Sequence, residues 1–275
     1  MKTYKQIIKE YSKNLRDITH IPQKEVEILL LHILQKNVIW LHLNYDKPCE
    51  VEDELKKLIQ KRATNYPLEY ITNQATFYGE IFEVQKGVLI PRPETEILVE
   101  KAEEILKNIK EPKVIEIGCG SGIISVMLAI LIPNISIIAV DINEKALQLA
   151  KRNAIKHKVE DKITFIKSDL FESIKDDSYD MVISNPPYIA SNFKLPQNVQ
   201  YEPKNALFGG EVGDELLKNI ILETSKRSIP YLLCEMGYDQ KKPLQKFIDE
   251  NIDYKSLVFY KDLASLDRGF VLNLF

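Results

Sequence analysis

The sequence predicts an α/β protein: a seven-stranded, doubly wound, Rossmann-like sheet with an antiparallel last strand, preceded by a small helical domain and a connecting β-hairpin. Three observations predict it. From Pro91 onward, short β-branched runs alternate with stretches of helical period. A glycine-rich loop directly follows the first of those runs, and the last two runs are joined by too few residues for a parallel crossover.

Up to about Asn65, "KEVEILLLHILQK" and "VEDELKKLIQKRA" repeat apolar residues at three and four with no alternation, which predicts a helical bundle over residues 1–65. Residues 66–90 read as a linker and hairpin, because "ATFYGEIFEVQKGVLI" alternates aromatic and β-branched residues about glycines between Thr76 and Ile90. In residues 91–275 the strand candidates are "KVIEI", "SIIAVD", "ITFIK", "MVISN", "YLLCE", "SLVFY" and "GFVLNLF". "KDLASLDR" links the last two, so the final strand is expected to run antiparallel.

Composition narrows the function classes. With 275 residues, 45% of them hydrophobic, the chain can bury a full core. A net charge of −3 speaks against a protein that lives on nucleic acid, and the helical part is only mildly basic. Cys49, Cys119 and Cys234 have no CxxC spacing, and His20, His32, His42 and His157 pair with none of them at ligand spacing, so neither a disulfide framework nor a metal is expected. The N-terminus is too polar for a signal peptide, and no apolar run approaches the ~20 residues that span a bilayer. These features predict a cytoplasmic protein with no membrane partner.

The chemistry-bearing residues cluster after strands. In "VIEIGCGSGIISVMLA" a strand ends at Ile117, glycines stand at 118, 120 and 122, and an apolar helix follows, so a ligand can approach the backbone at a helix N-terminus. The spacing is GxGxG and lacks the third glycine in register that seats a dinucleotide pyrophosphate. Nineteen residues beyond Gly122, Asp141 ends the next strand, where a carboxylate can accept both hydroxyls of a ribose; Asn143 is the better candidate to cap the following helix.

"VISNPPYIA" ends the fourth strand with two prolines, which remove two backbone donors and push Asn185 and Pro186 toward extended geometry. The result is a stiff presentation of the Asn185 amide, the Pro186 carbonyl, Pro187 and the Tyr188 ring.

"EIGCGSG" with Asp141, "SDLF" after the third strand and "NPPY" after the fourth resemble the S-adenosylmethionine-dependent methyltransferases that act on planar amino nitrogens. The resemblance implies that Glu116, Gly118, Gly120 and Gly122, with Cys119 and Ser121 of the same loop, surround the methionine part of the cofactor. By the same resemblance Asp141 holds the ribose, Asp169, Leu170 and Phe171 flank the adenine, and Asn185 touches both cofactor and substrate. An amide or exocyclic amino nitrogen has a delocalised lone pair and gains positive charge as it attacks. Two acceptors on its N–H bonds, Asn185 Oδ1 and the Pro186 carbonyl, stabilise that charge, and Tyr188 can stack on the planar group.

"PLEYITNQATFYG", "VLIPRPETEILVE", "YEPKNALFGG" and "DLASLDRG" extend the likeness over nearly the whole chain, to the HemK family of protein glutamine methyltransferases. That resemblance implies a class I methyltransferase fold and N5-methylation of the glutamine in the Gly-Gly-Gln loop of bacterial class 1 peptide chain release factors. It also implies that the helical part grips the factor, and that Arg92 and Glu94 lie at the substrate-side entrance. A monomer with no direct nucleic-acid partner is expected. Asn73 and Ser265 stand where the family often has glycine. Competing readings are a ribosomal-protein glutamine methyltransferase, an adenine-N6 DNA methyltransferase and a noncatalytic cofactor-binding module.

Overall fold

The computed structural model describes residues 1–175 and 178–275, which form two compact units: residues 1–74 with 196–201, and residues 75–195 with 202–275.

The first unit is helical. Its elements are α1 (Tyr4–Tyr11), α2 (Pro22–Leu34), α3 (Val38–Leu43), α4 (Glu52–Arg62) and α5 (Leu68–Thr72). Thr3 and Gln6 form a reciprocal capping box at the start of α1, and Asn37 caps α3 through the Trp40 N–H. Ile7, Leu15, Leu29, Leu30, Leu41 and Leu55 are fully buried where the helices meet. Arg62 forks onto Glu25 at 2.6 and 3.1 Å and fastens α4 to α2 inside that core. Removing either partner of such a buried pair costs about 3–5 kcal/mol.

The unit extends past Asn65, where the bundle was expected to end. Asn65 bonds Gln197 at 3.1 Å and the Tyr66 ring meets Tyr201 edge-on at 5.0 Å, so residues 196–201 belong to this body although they lie far along the chain.

The second unit opens with a hairpin tighter and earlier than expected: β1 (Gln74–Phe77) and β2 (Glu80–Glu83). Tyr78 and Gly79 both have positive φ, the geometry of a two-residue turn matched to strand twist. Pairing stops at Glu83 because its N–H and carbonyl are taken by the Asn153 side chain. The hairpin is part of the unit's core and not a mere connector. Phe77 and Phe82 are fully buried beneath it, each stabilising by about 1.5–3 kcal/mol.

The remaining elements are α6 (Thr95–Leu106), β3 (Lys113–Ile117), α7 (Ile123–Leu131), β4 (Ser136–Asp141), α8 (Glu144–Lys156), β5 (Ile163–Lys167), β6 (Met181–Ser184), β7 (Ile189–Ala190), β8 (Phe208–Gly210), α9 (Glu215–Lys226), β9 (Tyr231–Glu235), α10 (Lys241–Asn251), β10 (Ser256–Lys261) and β11 (Asp267–Asn273). The main sheet has seven strands in the order β10-β11-β9-β6-β3-β4-β5. β9, β6, β3, β4 and β5 pair in parallel, and β11 runs antiparallel to both neighbours. This is the predicted doubly wound sheet with its antiparallel last strand.

Side chains alternate across the sheet. Val114 and Ile183 face a core built with α6, α7 and α8, whereas Ile115, Ile117 and Val182 face one built with α9 and α10. Chain order reverses between β3 and β6, and it is outside the carboxyl ends of such strands that a crevice opens.

One feature escaped the sequence. β7 and β8 form a small parallel sheet beside the Pro186-Pro187 turn. A Cβ at Gly209 would lie 2.3 Å from the Pro187 carbonyl oxygen, so only glycine lets β8 lie against that turn. Asn73 and Ser265 both occupy the left-handed region, at φ 57° and 63°. Asparagine tolerates that conformation readily and serine less so, which accounts for glycine being suited to both turns.

Candidate active site

Two adjoining cavities lie at the carboxyl ends of β3, β4 and β6. The larger spans about 770 Å³, part of it open to solvent, and is lined in part by Gly118, Gly120, Asp141, Asp169, Leu170 and Asn185. The smaller, of about 350 Å³, is lined by Glu116, Cys119, Ser121, Arg92 and Thr95 among others, and shares Gly118, Gly120 and Asn185 with the first. Asn185 therefore stands where they meet.

Why the loop after β3 is shaped this way follows from its bonds. Gly118, Gly120 and Gly122 all have positive φ. A Cβ on Gly122 would come within 2.8 Å of the Ala150 Cβ, so glycine is also what lets α7 pack closely on α8. Cys119 N–H donates to Val140 O at 2.9 Å, tying the loop to β4. Asp141 takes part in the same fastening: its Oδ2 accepts from Gly120 N–H and its Oδ1 from Asn143 N–H, both at 2.8 Å. Each carboxylate oxygen keeps capacity for a second donor from the larger cavity. Burial pushes the Asp141 carboxyl up, and its backbone bonds pull it back. Asn143 caps α8 through Lys145 N–H, and its amide also holds the Gly87 carbonyl at 2.9 Å, which closes one wall of the cleft.

Glu116 is the most unusual group. It is fully buried, Oε2 accepts from the Ser125 N–H and hydroxyl, and Oε1 has no hydrogen-bond partner. Burial pushes its carboxyl up to about 8. A buried, unpartnered carboxylate oxygen beside the smaller cavity fits a cationic ligand group, such as the ammonium of an amino-acid moiety.

The turn after β6 is held from several directions. Ser184 donates its hydroxyl to Ile117 O at 2.7 Å, locking the end of β6 to the end of β3. Asn185 Nδ2 donates to Thr95 Oγ1 at 3.0 Å, Thr95 donates to Glu235 Oε2 at 2.7 Å, and Tyr188 donates to Glu235 Oε1 at 3.1 Å. Gln240 Nε2 donates to the Tyr188 carbonyl at 2.9 Å. Burial pushes the Glu235 carboxyl up, while its two hydroxyl donors and nearby Arg268 pull it back. Among the described residues, no donor meets Asn185 Oδ1 or the Pro186 carbonyl. Two hydrogen-bond acceptors are thus left at one rigid turn, an arrangement suited to a group with two N–H bonds.

The expected residues divide as follows. Gly118, Gly120, Asp141, Asp169, Leu170, Asn185, Pro186 and Pro187 line the larger cavity, and Glu116, Cys119, Ser121 and Arg92 the smaller. Four others lie elsewhere. Gly122 lines neither cavity; it sits where α7 packs on α8. Phe171, expected beside a planar base, lines neither cavity and packs in the core with α9, with Arg227 over its ring at 5.2 Å. Tyr188 lines neither cavity, since its hydroxyl is drawn inward to Glu235. Glu94 sits at the start of α6, also outside both cavities, whereas Arg92 pairs with buried Glu202 at 2.5 Å. Sequence reasoning missed Thr95, Glu235, Gln240 and Glu202; Thr95 stood unremarked in "PRPETE" between residues that were singled out. Among the described residues no cluster of three or more His, Cys, Asp or Glu side chains is arranged to hold a metal, and no helix is long and apolar enough to cross a membrane.

Residues 93–203 match the family described as Methyltransferase small domain, and residues 6–72 match the PrmC N-terminal domain. The chain is 36% identical over 260 residues to the release factor glutamine methyltransferase of Fusobacterium nucleatum subsp. nucleatum, covering 90% of this chain and 72% of that protein. It is 34% identical over 252 residues to the protein of the same name from Aquifex aeolicus, covering 90% and 89% respectively. A solved relative in fold is the N-terminal domain of human METTL16 in complex with SAH, with a TM-score of 0.54 and 18% identity over 70% of this chain and 75% of that one. Likeness at that identity bears on the fold alone.

Proposed function

The chain belongs to the family of release factor glutamine methyltransferases, and from that premise we propose that it methylates the side-chain N5 of the glutamine in the Gly-Gly-Gln motif of class 1 peptide chain release factors, using S-adenosylmethionine. The cofactor supplies a methyl group already activated on a sulfonium, so the protein's task is alignment and charge stabilisation. The observation that carries the mechanism is the pair of unengaged acceptors, Asn185 Oδ1, where the two cavities meet, and the neighbouring Pro186 carbonyl on the larger one. They take the two N–H bonds of the glutamine amide and stabilise the positive charge that grows on its nitrogen during attack. Pro187 lacks an N–H and keeps the turn from pairing onward, and Tyr188 anchors it through Glu235. Glu116 Oε1 would meet the ammonium of the methionine moiety, Asp141 would hold the ribose hydroxyls, and Asp169 and Leu170 would flank the adenine. In this reading the helical unit docks the folded factor, the enzyme works as a cytoplasmic monomer, and nucleic acid is not bound directly. Mass mapping after reaction with an intact release factor tests the assignment: one methyl group on the glutamine amide is expected, and a methyl on any other residue contradicts it.

Asp141→Ala is expected to weaken cofactor binding by about 1.5–3 kcal/mol, since it removes charge-assisted bonds to the ligand and frees the Gly120 N–H that shapes the loop. Calorimetry returning the wild-type affinity contradicts the ribose assignment.

Glu116 links binding to pH. Its folded-state pKa of about 8 lies above the ordinary value of 4.5, so the folded protein holds a proton that the unfolded chain has released. Stability of the ligand-free protein therefore falls through this group as pH rises from about 4.5 to about 8. A ligand ammonium needs the ionised form, so cofactor affinity is expected to rise over the upper part of that window with release of a proton. Glu116→Gln is expected to raise ligand-free stability at pH 8 while weakening the cofactor and abolishing that proton release. Calorimetry in buffers of different ionisation enthalpy reads the proton count; equal counts in both proteins contradict the assignment.

A further inference from the structure

The two ends of the Asn185 amide are nearly the same size, so a flip of the side chain would exchange the acceptor facing the cavity for a donor. We propose that Thr95 and Glu235 are positioning residues that set this polarity: the Glu235 carboxylate obliges the Thr95 hydroxyl to donate to it, leaving Thr95 Oγ1 only lone pairs for Asn185. Nδ2 must then face Thr95, and Oδ1 must face the acceptor nitrogen. The inference rests on the reading of Asn185 as an acceptor for the substrate amide.

The geometry supports each link. Thr95 is the first residue of α6, Asn185 follows β6 and Glu235 ends β9, so three elements converge on one buried chain of bonds. Thr95 is 0% and Glu235 1% exposed, which removes water as an alternative partner. Both carboxylate oxygens are occupied by hydroxyls, Oε2 by Thr95 at 2.7 Å and Oε1 by Tyr188 at 3.1 Å. Burial and the neighbouring carboxylate push the Tyr188 phenol far above its ordinary range, so it keeps its proton and donates. Arg268, forked onto Asp262 at 3.1 and 2.8 Å, supplies the nearby positive charge that an ionised Glu235 needs. The carboxylate thus acts as the terminal acceptor from which the direction of the whole chain follows. Reversing that direction would place the Asn185 Nδ2 hydrogens against the N–H bonds of the substrate amide, a donor facing a donor.

Thr95→Val keeps the shape of the side chain and removes the hydroxyl; Thr95→Ser keeps the hydroxyl. The expected result is a kcat lower by about tenfold to a hundredfold in Thr95→Val, the scale set by loss of one well-aimed hydrogen bond, with cofactor affinity unchanged and Thr95→Ser within about threefold of wild type. In an Asn185→Ala background, Thr95→Val should lower kcat no further, because the two residues act as a unit. Glu235→Gln guards against misfolding of the valine variant. Its amide can donate to Thr95 and let the Thr95 hydroxyl turn toward Asn185, so kcat is expected to fall while the thermal midpoint stays near wild type. Wild-type kcat in both Thr95→Val and Glu235→Gln, while Asn185→Ala remains crippled, overturns this inference and leaves the role of Asn185 standing. Thr95→Val and Asn185→Ala effects that multiply also overturn it. Near wild-type turnover in Asn185→Ala itself overturns the reading on which it rests.

Discussion

Replacing Asn185 with alanine is expected to lower methyl transfer by about 10²- to 10³-fold, the loss seen when one preorganised group aimed at developing charge is removed from a site of this kind. The fold should survive, because among the described residues the Asn185 amide bonds only Thr95, and Thr95 keeps its bond to Glu235. Cofactor affinity should change little by comparison, since the proposed hydrogen bond strengthens only as the nitrogen gains charge. Single-turnover kinetics with saturating cofactor separates the two effects. Asn185→Asp is a sharper comparison, for it keeps an acceptor oxygen at the same place but puts a full negative charge beside the sulfonium. A fall in kcat confined to the chemical step agrees with the account. Near wild-type turnover in Asn185→Ala contradicts it.

A short peptide containing Gly-Gly-Gln is expected to react with a kcat/KM at least about 100-fold below that of an intact release factor, because it lacks remote contacts that orient the amide. Two acceptors at one turn recognise a planar amide and nothing around it. Selection of one glutamine among many then falls to surfaces away from the turn. The peptide must also surrender its own backbone freedom, at about 1–2 kcal/mol per residue fixed. In the proposed division the helical unit, whose core of Ile7, Leu15, Leu29, Leu30, Leu41 and Leu55 is separate from that of the sheet, supplies the remote contact. Equal rates for peptide and intact factor would show that no remote contact contributes.

Much of this architecture was legible in the sequence, and the exceptions have physical causes. The seven strands of the sheet were visible because parallel strands buried on both faces read as short apolar runs, and the glycine loop was visible because its spacing is local. The hairpin was placed too late because Asn153, distant in sequence, takes the polar groups of Glu83 that would have continued the pairing. β7 and β8 are too short to produce a periodic signal. Gly118, Gly120, Asp141, Asp169, Leu170 and Asn185 were legible as a group because each lies at or just after a strand end, and strand order brings those ends together. That Phe171 lines neither cavity was not legible, because the spacing of "SDLF" does not reveal which way its ring turns. The Thr95–Asn185–Glu235 chain joins residues separated by 90 and 140 positions, beyond what any local pattern carries. The unpartnered oxygen of Glu116 was hidden for a related reason: the composition of "EIGCGSG" shows a carboxylate, but only packing shows that one of its oxygens has nothing to bond.

The central claim is that the acceptor is a glutamine amide presented by a folded release factor, and the most direct measurement offers labelled S-adenosylmethionine with intact release factor, ribosomes or DNA in separate reactions. The labelled product is then mapped by mass. The account predicts label on the release factor, on the glutamine of its Gly-Gly-Gln motif, with Asn185→Ala reducing it to a small fraction. Label going preferentially to a ribosomal protein or to adenine in DNA would contradict that assignment even with the cofactor site intact.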